Sequence, residues 1–311
     1  MVVLIVAATF VVLNREWVYD YYRGMTYTPS NEMDKMKKSL SLTERGEFLF
    51  NASQPELEER EEFNDVCRAK MTETAVLGCY TAGNIYVYNI ADAELNGIRE
   101  LTTAHELLHA VWARMSEEEK GELSSALKEA LDANQGAFAD ELEVYDTNER
   151  QEELYVRAGT EIKKLPKVLE EHYATIFRDQ DKIVDYYDSY IAVFRKLEAG
   201  MNNLKNEMAG IESDLNNKTS TYETGMSQLN AKIADFNSCA QTEGCFGSEV
   251  EFYSARTALL AEKESLDRMY AEINGLVDVY NAKVEQYNAD VVRGEELNQK
   301  INSSAKPKEI K

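Results

Sequence analysis

Proline and glycine are scarce in this chain, positive charge is outnumbered, and histidine is close to absent. The 311 residues hold only 4 Pro and 15 Gly, too few for the closely spaced turns of a β-sandwich or barrel. Against 56 Asp+Glu stand 34 Lys+Arg, a formal net charge of −22. A surface that neutralises phosphates needs clustered positive charge, so nucleic acid is excluded as a partner, and acidic substrates are disfavoured. No run of apolar residues reaches the roughly 20 that cross a bilayer as a helix. None of the 4 cysteines is spaced CxxC, which removes the zinc knuckle and the dithiol redox motif. What remains is a 44% hydrophobic chain, enough for a packed core. Its 29% charged residues suit long solvated helices.

The first segment is apolar from Val2 to Leu13, which is about 18 Å as a helix and too short to span. Asn14 and Arg15 end the run, and Trp17, Tyr19, Tyr21 and Tyr22 follow in the manner of an interfacial belt. A basic segment before the run and a small-residue cleavage site after it are both missing, so a cleaved signal peptide is not supported. The reading is a membrane-anchor segment over residues 1–24, truncated at its start; the alternative is a buried N-terminal helix. Arg15 and Arg23 favour a cytoplasmic C-terminal side. The cysteines favour the opposite side and carry more weight than two arginines. Cys67 goes with Cys79 and Cys239 with Cys245, and the second pair brackets the turn-like Gln241-Thr242-Glu243-Gly244. A disulfide there closes a small loop and fits an oxidising compartment. The expected location is therefore extracytoplasmic, at the cell surface.

Residues 30–65 read as acidic helix, with Pro29-Ser30 and Ser53-Gln54-Pro55-Glu56 as start signals. Ala75–Tyr80 and Asn84–Ile90 are β-branched and aromatic runs parted by Thr81-Ala82-Gly83, a β-hairpin pattern. Helices are expected over 99–115, 116–134 and 148–158, the second opened by the capping box Ser116-Glu117-Glu118-Glu119. Gly159 is expected to break the third, and Pro166 to open a helix running to about Ile183. Beyond Asp188 the period becomes seven. Met201, Met208, Leu215, Tyr222, Leu229 and Phe236 form one series, and Phe252, Leu259, Leu266, Ile273, Tyr280 and Tyr287 the other. Tyr270, Val277, Val284 and Val291 interleave the second. Two such series predict an antiparallel helical hairpin about 75 Å long with the cystine loop at its tip, softened where Lys218 and Gly225 fall on the seam.

The chemistry lies in His105-Glu106-Leu107-Leu108-His109, an HExxH motif. The i, i+4 spacing puts both imidazoles on one helical face, where they share a metal ion. Glu106 beside the first ligand is placed to take a proton from water on that metal. With 3 histidines in the chain, composition alone gives roughly 0.003 expected matches, so zinc is the expected cofactor. A catalytic zinc needs a third protein ligand. No HxxGxxH extension follows His109, which disfavours a metzincin arrangement. The residues leave Glu152, Glu153, Glu161 and His172 open. On an uninterrupted helix Leu154, Tyr155, Ala158, Ile162 and Leu165 form the apolar face, and Glu161 lies nearest its centre.

Thr102–Ala110, followed by Glu153-Leu154-Tyr155 and Gly159-Thr160-Glu161, resembles the gluzincin class of zinc metallopeptidases. More narrowly, it is similar to uncharacterised membrane-anchored predicted metallopeptidases of uncultivated small-genome bacteria. The resemblance covers about residues 15–185, and the coiled-coil arm is also familiar in that group. It implies a zincin-like catalytic domain with zinc on His105, His109 and Glu153. It also implies an acidic or amide residue four positions after the third ligand, where this chain has Arg157.

Together these readings give a mainly α chain with a small β-hairpin or sheet. The expected order is the anchor at 1–24, a zincin-like catalytic domain over 25–185, a coiled-coil hairpin over 186–304 and a disordered tail over 305–311. The implied reaction is peptide-bond hydrolysis with Glu106 as general base on a peptide or protein substrate. Tyr145 or His172 is the expected oxyanion donor, and strand Asn84–Ile90 the partner of an extended substrate. The arm is the expected seat of a protein partner, and the N-terminus of the membrane. The alternative is a non-enzymatic coiled-coil surface, adhesion or scaffold protein with a structural or degenerate zinc site.

Overall fold

The computed structural model describes residues 15–68, 76–134, 142 and 147–303. The chain divides into two compact units. One holds the residues up to Arg195 and those from Glu296 onward, and the other is Lys196–Glu295. The expected anchor run at 2–13, Tyr145 and the tail at 305–311 lie outside the described residues.

The first unit is mainly helical around a small sheet. Among the described residues three helices come first: α1 (Arg15–Thr26), α2 (Asn31–Ser39) and α3 (Glu44–Ala52). Ser30 and Thr43 cap α2 and α3, each accepting a backbone N–H three residues on. Glu56–Glu58 is a strand, β1, and not the helix start that Ser53-Gln54-Pro55-Glu56 suggested. Three residues are too few to nucleate a helix, and they pair parallel to Tyr86–Tyr88 instead. After α4 (Arg60–Val66), β2 (Gly78–Thr81) and β3 (Asn84–Tyr88) form the expected hairpin around Ala82-Gly83. The sheet order is β1-β3-β2, so β3 is the central strand. Both its edges are occupied, which corrects the expectation that it pairs with substrate; β2 is the edge strand on that side.

Among the described residues four helices follow: α5 (Ile98–Trp112), α6 (Glu117–Ala133), α7 (Thr147–Glu161) and α8 (Lys167–Tyr173). The capping box at Ser116 and Glu119 is formed reciprocally, as its sequence required. Helix α7 passes through Gly159 without a break. The glycine is there for close packing: a Cβ on it would sit 2.5 Å from Leu108 Cδ1 and 2.7 Å from Tyr173 Cε1. The Pro166 helix stops at Tyr173, and the chain crosses to Leu42, which bridges Phe177. A new helix, α9 (Gln180–Ala240), then begins; α10 (Glu249–Ile301) is the last among the described residues. Leu297 and Ile301 of α10 are buried with Phe63, Cys67, Cys79 and Leu95 in a core of the first unit. Cys67 and Cys79 lie at disulfide distance, with Cα atoms 5.9 Å apart, and join the end of α4 to β2.

In the second unit the parts of α9 and α10 between Lys196 and Glu295 pack as an antiparallel pair. Tyr222 meets Tyr270 with ring centroids 5.7 Å apart, and Phe236 meets Phe252 at 5.2 Å. The seam's two irregular positions are matched across the pair. Lys218 reaches Glu272 at 2.6 Å, and Leu266 packs onto Gly225, where a Cβ would come within 2.7 Å of Leu266 Cδ2. Cys239 and Cys245 are also at disulfide distance, in the turn between the helices.

Candidate metal centre

Helix α5 carries the motif because nearly its whole circumference is buried. Ala104, Leu107, Leu108, Ala110 and Val111 are in the core, and Trp112 packs on Tyr155 of α7 with centroids 5.0 Å apart. Thr102 and Thr103 bond back to the carbonyls of Ile98 and Arg99, so the helix buries no unpaired hydroxyl there. His105 and His109 lie one turn apart on the remaining face, partly exposed, with ring centroids 5.1 Å apart.

Helix α7 supplies the carboxylates. Its close crossing at Gly159 brings the preceding turns over the imidazoles. Glu153, buried at 6% exposure, places Oε1 3.8 Å from His105 Nε2 and Oε2 3.6 Å from His109 Nε2. One ligand atom from each of His105, His109 and Glu153 falls within 4.8 Å of the others. Ligands about 2.0–2.1 Å from a tetrahedral zinc stand roughly 3.3 Å apart, so the spacing suits a shared small cation.

The neighbouring charges have distinct places. Glu152 Oε1 lies 2.7 Å from His109 Nδ1, which orients that ring with Nε2 toward Glu153. Arg157 Nε donates to Glu153 Oε1 at 2.8 Å, and its Nη1 lies 3.8 Å from Glu161 Oε1. Glu161, favoured by the count along the helical face, is thus placed with Arg157. His172 does not join the triad; its Nε2 lies 2.9 Å from the Tyr155 hydroxyl. Burial lowers the His172 pKa to about 4, with Arg45 adding to the effect against Glu119.

Burial also lowers the His105 pKa to about 3, against the attraction of Glu153. For His109 burial again opposes the charge, but the Glu152 contact and the charges of Glu106, Glu153 and Glu152 outweigh it and raise the pKa. Burial pushes Glu153 up, and the imidazoles and Arg157 pull it below the ordinary carboxylate value. The centre therefore offers a neutral imidazole, a second imidazole held by a carboxylate, and an anionic carboxylate. With neutral imidazoles, the four carboxylates of Glu106, Glu152, Glu153 and Glu161 and the one guanidinium of Arg157 leave it at −3. Such a donor set fits a divalent cation, and two nitrogens with one oxygen fit zinc.

Glu106 is buried at 5% exposure beneath β2. Gly78 is the contact: a Cβ there would lie 2.6 Å from Glu106 Cγ and 2.7 Å from Oε1. This role of Gly78 was invisible in the sequence, because it depends on β2 lying across α5. Comparison of the chain with family models, with curated proteins and with solved structures gives no match.

Proposed function

We propose that the chain is a zinc-dependent metallopeptidase that works outside the cytoplasm. The observation that carries the reading is the Glu153 carboxylate facing both HExxH imidazoles, with Glu106 buried beside them under an edge strand. His105, His109 and Glu153 would hold the zinc, which when bound supplies a Lewis acid for a carbonyl and acidifies water. Glu106 accepts the proton of the attacking water on its carboxylate and delivers it to the leaving amide nitrogen. Glu152 keeps the His109 ring in the ligating orientation. β2 offers its outer edge to an extended peptide backbone, beside Glu106. The two cysteine pairs at disulfide distance support an oxidising compartment.

One observation favours the second reading, a coiled-coil surface or scaffold protein with a degenerate site. Arg157 places a cation on the very carboxylate that would hold the metal. In its support, Tyr270 and Val277 of the helix pair stay 53% and 40% exposed, an apolar line suited to a protein partner. The test uses the full chain: zinc content after dialysis, then turnover of a mixed peptide library with chelator and with zinc restored. About one zinc per chain with chelator-sensitive turnover supports the peptidase. Tight zinc without turnover selects the second reading with a structural zinc, and a chain without stoichiometric zinc selects it with a degenerate site and refutes the peptidase.

A further inference from the structure

Exposed hydrophobic side chains in the first unit are concentrated on one helix. Among the described residues of that unit seven large hydrophobics are exposed, and five of them are on α1: Trp17, Tyr19, Tyr21, Tyr22 and Met25. Trp17, Tyr21 and Met25 follow at i, i+4 and i+8, so they line one face along the whole helix. Trp17 and Tyr21 stack with centroids 5.4 Å apart, and Tyr22 and Met25 are 65% and 70% exposed.

The opposite face of α1 is fixed to the protein, so the helix cannot roll to hide these rings. Arg23 is buried and donates to the Ala52 carbonyl at 2.7 Å, to the Gly83 carbonyl at 3.0 Å and to Asn84. Asp20 receives Arg114 at 2.8 and 3.0 Å, and Arg114 also donates to the Tyr80 hydroxyl. Gly24 lets α1 approach Asn51 and Ala52 of α3. With Asp20 and Arg23 engaged, the helix's other charges are Arg15 and Glu16, which cancel. In sequence, the apolar run Val2–Leu13 leads into the helix.

We propose that the Trp17–Tyr21–Tyr22–Met25 face of α1 lies flat in the headgroup–acyl boundary of a phospholipid bilayer. Aromatic side chains with a polar edge suit that boundary, and the balanced charge makes zwitterionic lipid sufficient. The Asp20–Arg114 pair then connects the membrane contact to the residues just beyond the C-terminus of α5. This proposal is independent of metal binding and of catalysis.

The test is flotation of the full chain with phosphatidylcholine vesicles, followed by tryptophan quenching with brominated phosphatidylcholines. Trp112 is 5% exposed, so Trp17 is the reporter. The chain is expected to float, with bromines high on the acyl chains quenching emission at least about twofold and deeper ones quenching less. Trp17→Phe removes most of that quenching. In Trp17→Phe/Met25→Trp the indole at position 25 is quenched to a similar extent. Failure to float, or flotation without quenching at position 17, overturns the proposal. Quenching at 17 but not at 25 also overturns it, because α1 would then stand clear of the bilayer.

Discussion

Arg157 binds the same oxygen of Glu153 that faces His105: its Nε lies 2.8 Å from Oε1, and His105 Nε2 lies 3.8 Å from that atom. The other oxygen, Oε2, is directed to His109. The i, i+4, i+8 spacing of Glu153, Arg157 and Glu161 on α7 makes a charge ladder in which the guanidinium is balanced on both sides. The carboxylate is held in one orientation, and Glu161 offsets the guanidinium charge that would otherwise oppose a cation.

Glu106→Gln is expected to retain about one zinc per chain and to lower peptide turnover by roughly 10²–10⁴-fold. Glu106 follows His105 in the motif, is buried and is not in the triad. Zinc content and turnover measured on the same sample check it; loss of zinc, or full activity, contradicts the assigned role.

The α7 carboxylates are expected to separate in a zinc competition titration. Glu153→Ala loses tight zinc, because one of three protein ligands is removed. Glu152→Ala weakens zinc by roughly 10- to 100-fold through the unsupported His109 ring. Glu161→Ala keeps stoichiometric zinc. Tight zinc in Glu153→Ala with loss in Glu161→Ala would reverse the assignment.

Gly78→Ala is expected to destabilise the chain by about 1–3 kcal/mol. The added methyl meets Glu106 and Thr102, where Thr102 Cγ2 would be 2.7 Å away. Thermal unfolding reads the stability, and turnover should fall while zinc content stays near that of the parent. A fully active, equally stable variant would show that β2 does not press on Glu106.

His172 is expected to titrate near pH 4 in histidine NMR, against the ordinary 6.5. Between those values the unfolded chain takes up a proton that the folded chain refuses. This group's contribution to stability is therefore present above about pH 6.5 and is lost as pH falls toward about 4. In Tyr155→Phe the lowered pKa should persist, since burial is its first cause. A titration near 6.5 in the intact chain would contradict the burial.

Periodicity and capping made much of the fold legible in advance. The capping box at Ser116, the hairpin around Ala82-Gly83 and the two heptad series all formed where local chemistry placed them. Each depends on residues near one another in sequence. Gly159 and the strand at Glu56–Glu58 were misread because their states are set by distant partners, Leu108 and Tyr173 in one case and Tyr86–Tyr88 in the other. At the site, HExxH defines its own geometry by helical spacing. The choice among α7 carboxylates depends on how α7 crosses α5, which no count along α7 alone contains.

Leu297 and Ile301 give the chain's order of assembly a particular character. They are 2% and 7% exposed in a core whose other members come from the first 200 residues. Ser303 donates to the Val76 carbonyl, and Asn64 to that of Ser303. A chain made only up to residue 295 would have every HExxH and α7 residue in hand, with the core around them, and still lack part of the second core, which includes Ile98 at the start of α5. The helix pair is, in topological terms, an insertion into the first unit, so that unit is completed only after the helix pair has been made. Termination within the long helices therefore leaves the core around the candidate metal centre its residues but deprives the core at the start of α5 of its last two.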